Sequence, residues 1–143
     1  MKNFKLKHIP ERPEKPRNKG LTMVMDKGLS IREAEDLIAV SGEYTDIVKL
    51  GFGTSYVTPR LQEKIKLYQD NGMIVYFGGT LFEAYLVRNQ FEDYIKVLDK
   101  YGMNHAEISD GSIELPHDLK LDYMTYEFTE SNKRKYFAAR RRF

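Results

Sequence analysis

Residues that can bind anions or metal ions are concentrated at or just after the ends of four short apolar runs. The four groups are Asp26, Lys27 and Gly28; then Lys49, Gly51, Gly53, Thr54 and Ser55; then Gly78, Gly79, Thr80 and Glu83; and then Glu107, Ser109, Asp110 and Gly111. The carboxylates Asp26, Glu107 and Asp110 are hard oxygen ligands, which suit Mg²⁺ that is also held by substrate oxygens. The lysines, hydroxyls and glycines are residue types that hold phosphate or carboxylate groups.

Two glycine-bearing segments are candidate anion cradles. Gly51-Phe-Gly-Thr-Ser55 and Gly78-Gly79-Thr80 can present bare backbone amides, and the second leads directly into a predicted helix whose dipole favours an anion. Glycine is also the usual residue of a tight turn, and for either segment taken alone that structural role is the more common one.

Lys49 is a sharper signal, because it interrupts the apolar run Ile47-Val-Lys-Leu50, and parallel strands are normally continuous in apolar residues. A charge at such a position needs a partner or a ligand. The sequence leaves two alternatives open: a structural ion pair with Asp26 or Glu107, or the binding of an anion.

The composition excludes several kinds of site. The chain of 143 residues has no cysteine, which excludes disulfides, Cys-ligated zinc and a thiol nucleophile. His8, His105 and His117 lie in separate parts of the chain and form neither a zinc set nor a credible Ser-His-Asp arrangement. The chain has no apolar run of about 20 residues for a membrane span and no apolar secretory signal, so we expect a cytoplasmic protein without a membrane partner.

Alternating strands and helices are predicted to position these residues. The four apolar, β-prone runs begin 25, 27 and 31 residues apart. They are Leu21–Met25, Asp46–Leu50, Met73–Phe77 and Asn104–Ile108. Between them apolar residues recur with helical spacing. The segments Ser30-Ile-Arg-Glu33 and Thr80-Leu-Phe-Glu83 resemble capping boxes, and Thr58-Pro59 predicts a helix start. Gly72 and Gly102 predict helix ends. The pattern predicts α/β architecture, with βα units around a parallel sheet whose site lies at the C-terminal ends of the strands.

The chain divides into three parts by composition. Residues 1–19 contain three of the five prolines and carry a charge of +5, which predicts an extended basic leader. A partial-barrel domain over 20–143 begins with four βα units in 20–114. Residues 115–143 form a divergent tail, in which Leu119 to Phe143 is predicted as helix without a fifth strand. A basic end can contact nucleic acid, but a solvated or frayed terminus is more common, and the acidic middle of the chain argues against such a partner.

Four segments stand out when they are taken in order. They are Lys15-Pro16-Arg17 with Gly20-Leu-Thr-Met-Val-Met-Asp-Lys-Gly28, then Val48-Lys-Leu-Gly-Phe-Gly-Thr-Ser55, then Tyr76-Phe-Gly-Gly-Thr-Leu-Phe-Glu83, and then Glu107-Ile-Ser-Asp-Gly-Ser112. In this order and at this spacing they resemble the phosphosulfolactate synthase family over about residues 15–122.

The resemblance implies a (β/α)₈ TIM barrel, of which this chain carries about four βα units, since a whole barrel needs about 250 residues. It also implies a lyase that adds sulfite to phosphoenolpyruvate with Mg²⁺ as cofactor, giving (2R)-phospho-3-sulfolactate as in coenzyme M biosynthesis. The implied catalytic residues are Lys49, Asp26 and Glu107, and the implied metal ligands are Asp26, Glu107 and Asp110. The implied substrate-binding residues are Lys27, Gly51, Gly53, Thr54, Ser55, Gly78, Gly79, Thr80 and Ser109.

The implied partners are small molecules, phosphoenolpyruvate and sulfite, and not nucleic acid. The segment 124–143 does not resemble the family, whose barrel continues with four more βα units. Because a half-barrel leaves sheet edges unpaired, we expect a homo-oligomer. The alternative is a catalytically inactive, truncated half-barrel with a structural, oligomeric or stress-related role, since plant proteins of this type are heat-stress-associated.

Overall fold

The computed structural model of the chain describes residues 3–125 and 135–139. Strands and helices alternate through most of this part, as the sequence pattern predicts. The elements are β1 (Met23–Asp26), α1 (Ile31–Ser41) with a 3₁₀ turn (Gly42–Tyr44), β2 (Ile47–Leu50), α2 (Phe52–Val57), α3 (Leu61–Asp70), β3 (Ile74–Phe77), α4 (Thr80–Leu86), α5 (Phe91–Lys100), β4 (His105–Ser109), α6 (His117–Thr125) and β5 (Lys135–Ala139).

All strand pairing in this part of the chain is parallel. β1, β2 and β3 form a three-stranded sheet in sequence order, with Met25, Lys49 and Tyr76 side by side in register. β4 lies beside β3 and pairs with β5. The four predicted strands and the mixed α/β architecture are therefore confirmed, and the arrangement is consistent with part of a βα barrel.

Alternate strand residues pack against the helices and form the core. Leu50, Phe77 and Ile108 come from the strands, and Ile65 and Leu98 from α3 and α5; all five are buried. Burying apolar area of this kind stabilises the fold by about 25 cal/mol per Å². The packing brings the C-terminal ends of β1 to β4 to one side of the domain, where the candidate residues lie.

The predicted helix ends are confirmed in part. Ser30 caps α1 in a complete capping box with Glu33, and Gly72 and Gly102 follow α3 and α5 with positive φ, a conformation that glycine adopts without strain. The capping box predicted at Thr80 is wrong, because the cap of α4 is Gly79 and the carboxylate of Glu83 turns to another loop. The start predicted at Thr58-Pro59 is displaced, since α3 begins at Leu61.

The predicted C-terminal helix over 119–143 is confirmed for residues 119–125 and is wrong for residues 135–139. Helix α6 ends at Thr125, and Lys135–Ala139 forms a fifth strand that pairs with β4 in parallel. The rest of the predicted helix, 126–134 and 140–143, lies outside the described residues. The short run around Tyr136 and Phe137 is β-prone, but basic residues flank it and it did not stand out as a strand. The edge of β4 with which it pairs is not visible in the local sequence.

Residues 3–19, in the basic leader, contain neither helix nor strand, and residues 12 to 17 are held against the domain. Arg12 Nη2 lies 2.8 Å from Asp46 Oδ2, and Arg17 Nε lies 3.2 Å from Asp46 Oδ1. Lys15 donates to the carbonyl of Gly42, where burial lowers the pKa of its ammonium below the ordinary value. These contacts fasten the leader across the N-terminal side of β2, opposite the predicted site.

Within the described residues, the longest apolar stretches in helices fall short of what is needed to cross a membrane.

Candidate active site

Lys49 and Glu107 meet at the C-terminal side of the strands. Lys49 Nζ lies 2.9 Å from Oε1 and 2.7 Å from Oε2 of Glu107, although the residues belong to β2 and β4. The Lys49 side chain is 21% exposed and the Glu107 side chain is 7% exposed. The ion pair with Glu107, one of the two alternatives for Lys49, is confirmed, and its partial exposure leaves the ammonium within reach of a ligand.

Gly78 and Gly79, which follow β3, make room for this pair. A Cβ on Gly78 would lie 3.0 Å from Lys49 Cε, and a Cβ on Gly79 would lie 3.1 Å from Glu107 Cγ and only 2.4 Å from Ser109 Cβ. The Gly78 amide donates to the carbonyl of Leu50 and continues the sheet, so it is not available to an anion. Close packing is therefore the first role of these glycines, and anion binding by Gly79 and Thr80 stays a prediction.

The polar groups of the segment 51–55 are likewise largely used in hydrogen bonds within the protein. The Gly51 amide donates to the carbonyl of Asp26, the Thr54 hydroxyl donates to the carbonyl of Gly51, and the Ser55 hydroxyl donates to the carbonyl of Phe52. Ser55 is buried. Only the acceptor side of these hydroxyls is left for a ligand, whereas none of the described residues crowds the position of a Cβ on Gly53.

Asp26 is not arranged as a metal ligand. Its Oδ1 accepts hydrogen bonds from the amides of Gly28 and Leu29, both at 2.8 Å. Its Oδ2 lies 2.8 Å from Lys64 Nζ and accepts a hydrogen bond from the Tyr68 hydroxyl at 3.1 Å. Because both oxygens are occupied and the side chain is 1% exposed, a direct metal or substrate contact would have to displace Lys64.

The predicted set of three carboxylate ligands is not assembled. Asp110 pairs with Lys120 at 3.0 Å, Asp26 pairs with Lys64, and no group of three or more metal-binding side chains occurs in the described ranges. Glu107 is the best placed of the three, since its Oε2 is buried and, within residues 3–125 and 135–139, accepts no hydrogen bond of good geometry beyond its contact with Lys49. Mg²⁺ commonly uses one or two carboxylates together with water and substrate oxygens, and Glu107 fits that donor set.

A sequence profile of the (2R)-phospho-3-sulfolactate synthase family matches residues 10–135, which include the loops at all four strand ends. The chain belongs to this family. The resemblance seen in the motifs is thereby confirmed. It extends beyond the predicted range of 15–122, so the expectation that 124–143 does not resemble the family is wrong for residues 124–135.

Three curated phosphosulfolactate synthases match a large part of the chain. The protein of Methanocaldococcus jannaschii is 46% identical over 99 residues, which cover 68% of this chain and 39% of that protein. The protein of Bacillus subtilis is 34% identical over 124 residues, covering 87% of this chain and 49% of that protein. The protein of Methanothermobacter thermautotrophicus is 37% identical over 113 residues, covering 78% and 44%. The chain thus spans somewhat less than half the length of these synthases.

A plant protein is similar at a lower level. Protein HEAT-STRESS-ASSOCIATED 32 of Arabidopsis thaliana is 23% identical over 122 residues, which cover 80% of this chain and 42% of that protein.

Sequence reasoning did not identify two residues that shape this candidate site. Lys64 and Tyr68 occupy the core-facing side of α3, where their helical spacing resembles ordinary packing, yet both bind Asp26. Burial first, and then the charge of Asp26 and the hydrogen bond to it, raise the pKa of the Tyr68 hydroxyl. A lysine on the apolar stripe of a helix is the signal that could have revealed the pair.

Glu83, which the sequence placed among the candidate loop residues without a specific role, is a buried carboxylate in the first turn of α4. It accepts hydrogen bonds from the Ser109 hydroxyl, from the Gly111 amide at 2.8 Å and from the Ser112 amide at 3.1 Å. Glu83 therefore fastens the loop after β4 and occupies the predicted substrate ligand Ser109. Lys27, by contrast, is exposed beside Gly51, as a substrate ligand needs to be.

Proposed function

We propose that the chain carries a catalytic centre of the phosphosulfolactate synthase type, adding sulfite to phosphoenolpyruvate to give (2R)-phospho-3-sulfolactate with Mg²⁺. The observation that carries the proposal is the largely buried ion pair of Lys49 and Glu107 among the loops that match the family. Three relatives named phosphosulfolactate synthase support it.

The reaction asks for charge stabilisation and one proton. The sulfur lone pair of sulfite forms a bond to the methylene carbon, and the electrons of the carbon–carbon double bond move through C2 into the carboxylate. The Lys49 ammonium, held in place by Glu107, would bind that carboxylate as its charge grows and then donate a proton to C2. Mg²⁺ held by Glu107 and substrate oxygens would supply Lewis-acid stabilisation of the same charge.

The remaining rim residues would bind the outer oxygens of the substrates. Lys27 is exposed and cationic, and Thr80 is exposed at the start of α4. Thr54 and Ser109 hold their hydroxyls in fixed hydrogen bonds and would contribute as acceptors or through small shifts. These are proposed roles, and we place Asp26 outside them because its oxygens are occupied.

We further propose that the working form is an assembly that completes a (β/α)₈ barrel in the cytoplasm. β1 is an edge strand of the three-stranded sheet, and its Met23 and Met25 are 56% and 51% exposed. Exposed apolar side chains at an open strand edge favour association. A homo-oligomer would cover both features.

The test is an assay of phosphoenolpyruvate consumption with sulfite and Mg²⁺, followed by phosphorus NMR of the product. The purified chain should form a new phosphate ester only when all three are present, and Lys49→Met should lower the rate at least about a hundredfold. Lys66→Met, a matched change at an exposed lysine of α3, should leave the rate unchanged. A folded chain without sulfite-dependent turnover would contradict the proposal and favour a second candidate, a stress-related role, suggested by the likeness to the Arabidopsis protein.

A further inference from the structure

A buried ion pair lies under the loop that joins β1 to α1. The side chains of Asp26 and Lys64 are 1% and 2% exposed, and their charged atoms are 2.8 Å apart. They belong to β1 and α3, two elements that are not consecutive in the chain. A pair this deeply buried adds little to the free energy of unfolding compared with apolar residues of the same size. Stability alone therefore does not account for its contacts.

Those contacts converge on Leu29. The Leu29 amide donates to Asp26 Oδ1 at 2.8 Å, and the Leu29 carbonyl accepts from Lys64 Nζ at 2.8 Å. The pair thus holds both polar groups of one loop residue, while Asp26 also holds the amide of Gly28. The backbone between β1 and α1 is fixed at three polar groups.

The fixed loop carries Lys27 and presses on the next loop. Gly28 has φ +109°, and a Cβ at this position would lie 3.2 Å from Thr54 Cβ. Gly51 packs against the Cα of Lys27, since its own Cβ would be 3.9 Å away. The position of the Lys27 backbone is therefore determined by the hydrogen bonds of Asp26 and Lys64 to the loop and by the packing of the loop against Gly51 and Thr54.

We infer that Asp26 and Lys64 are positioning residues, which clamp the β1–α1 loop so that Lys27 reaches the substrate oxygens. Asp26 is accordingly neither a metal ligand nor a catalytic acid. The part of this inference that concerns Lys27 rests on the proposed function; the clamp itself does not.

Two double variants separate positioning from ligation. Asp26→Asn with Lys64→Met removes both charges but keeps an amide oxygen that can accept from Gly28 and Leu29. Asp26→Ala with Lys64→Met removes both charges and that acceptor. The single variants are avoided as primary tests because each leaves one buried charge without its partner and lowers the unfolding midpoint.

Amide hydrogen exchange reports the clamp without any assay of activity. The amides of Gly28 and Leu29 should stay protected in the Asn/Met variant and should exchange at least about tenfold faster in the Ala/Met variant. The amide of Gly78, which donates to the carbonyl of Leu50 away from the changed residues, serves as an internal control. Equal protection of Gly28 and Leu29 in both variants would overturn the clamp, whatever the activity of the chain.

Activity then tests the consequence for Lys27. The Asn/Met variant should keep kcat/KM within about threefold of the wild type, and the Ala/Met variant should lose at least about tenfold. Lys27→Met should lower kcat/KM in the wild type. In the Ala/Met background the same change should cause little further loss of kcat/KM, because Lys27 is already displaced from the substrate there. An Asn/Met variant that is protected yet inactive would show that the Asp26 carboxylate acts directly and would overturn the positioning role; an inactive wild type would refute the proposed function alone.

Discussion

Lys49 and Glu107 are 58 positions apart in the chain, and their side chains meet at 2.7 Å beside Gly78 and Gly79. The strand that lies between β2 and β4 ends at those two glycines, so the pair spans the end of β3. Any side chain at either glycine would enter the space that the ion pair and Ser109 occupy. Gly78 and Gly79 therefore have a packing function, in addition to the phosphate binding that the sequence of this motif suggests.

Removing one partner of this pair should affect stability and activity separately. Lys49→Met or Glu107→Gln alone should lower the free energy of unfolding by about 1–3 kcal/mol, because a largely buried group loses its partner. The double variant should regain most of that loss but should remain inactive in the sulfite assay. Urea titrations of the four proteins measure the coupling, and an active double variant would contradict the catalytic role.

Gly79→Ala should disturb the site through packing alone. The added methyl would lie 2.4 Å from Ser109 Cβ, so β4 or α4 must shift, at about 1–3 kcal/mol. Gly53→Ala is the matched control, because its Cβ would meet no atom of the described part of the chain within 4 Å. Alanine is also favoured over glycine in a helix by about 0.5–1 kcal/mol. Thermal unfolding of both variants measures whether Gly79→Ala is the less stable of the two. Equal stability would show that the N-terminus of α4 can shift to accommodate the added methyl at little cost in free energy.

Glu83→Ala should loosen the loop after β4. The amides of Gly111 and Ser112 and the hydroxyl of Ser109 would lose their acceptor, which we expect to lower stability by about 1–3 kcal/mol. Glu83→Gln keeps one acceptor oxygen and should have a smaller effect. Hydrogen exchange at Gly111 and Ser112 is the direct measurement; Glu35→Gln, at an exposed position of α1, should change neither quantity.

Arg17→Met should destabilise the domain from the side opposite the site. The Arg17 side chain is 3% exposed and contacts both Asp46 and the carbonyl of Glu43, so its loss leaves two acceptors poorly matched. We expect a loss of about 1–3 kcal/mol, whereas Lys19→Met in the same leader should stay within about 0.5 kcal/mol. If both variants unfold at the wild-type urea concentration, the leader does not contribute to the fold.

The sequence predicted the positions of the first four strands and the rim of loops well, because both follow from local apolar runs and glycine turns. It did not predict which charges pair. Lys49 could have paired with Asp26 or Glu107, and the pairing of Asp26 with Lys64 depends on how α3 packs on the sheet. The fifth strand was missed for a similar reason, since its pairing with β4 is a tertiary contact and its own run is short.

Acid should weaken the domain partly through Asp26. Burial alone would raise the pKa of the Asp26 carboxyl, but the hydrogen bond and charge of Lys64 and the two backbone amides outweigh it and hold the pKa below its ordinary value of 3.8. Because the pKa is lower in the folded state, the stabilisation is complete above the unfolded-state pKa and is lost as the pH falls below about 4 through the folded-state value. The free energy of unfolding should therefore fall less steeply with acid in the Asp26→Asn/Lys64→Met variant than in the wild type. Asp36→Asn, at an exposed position of α1, should follow the wild-type curve, and parallel curves for all three proteins would assign the acid sensitivity to other carboxylates.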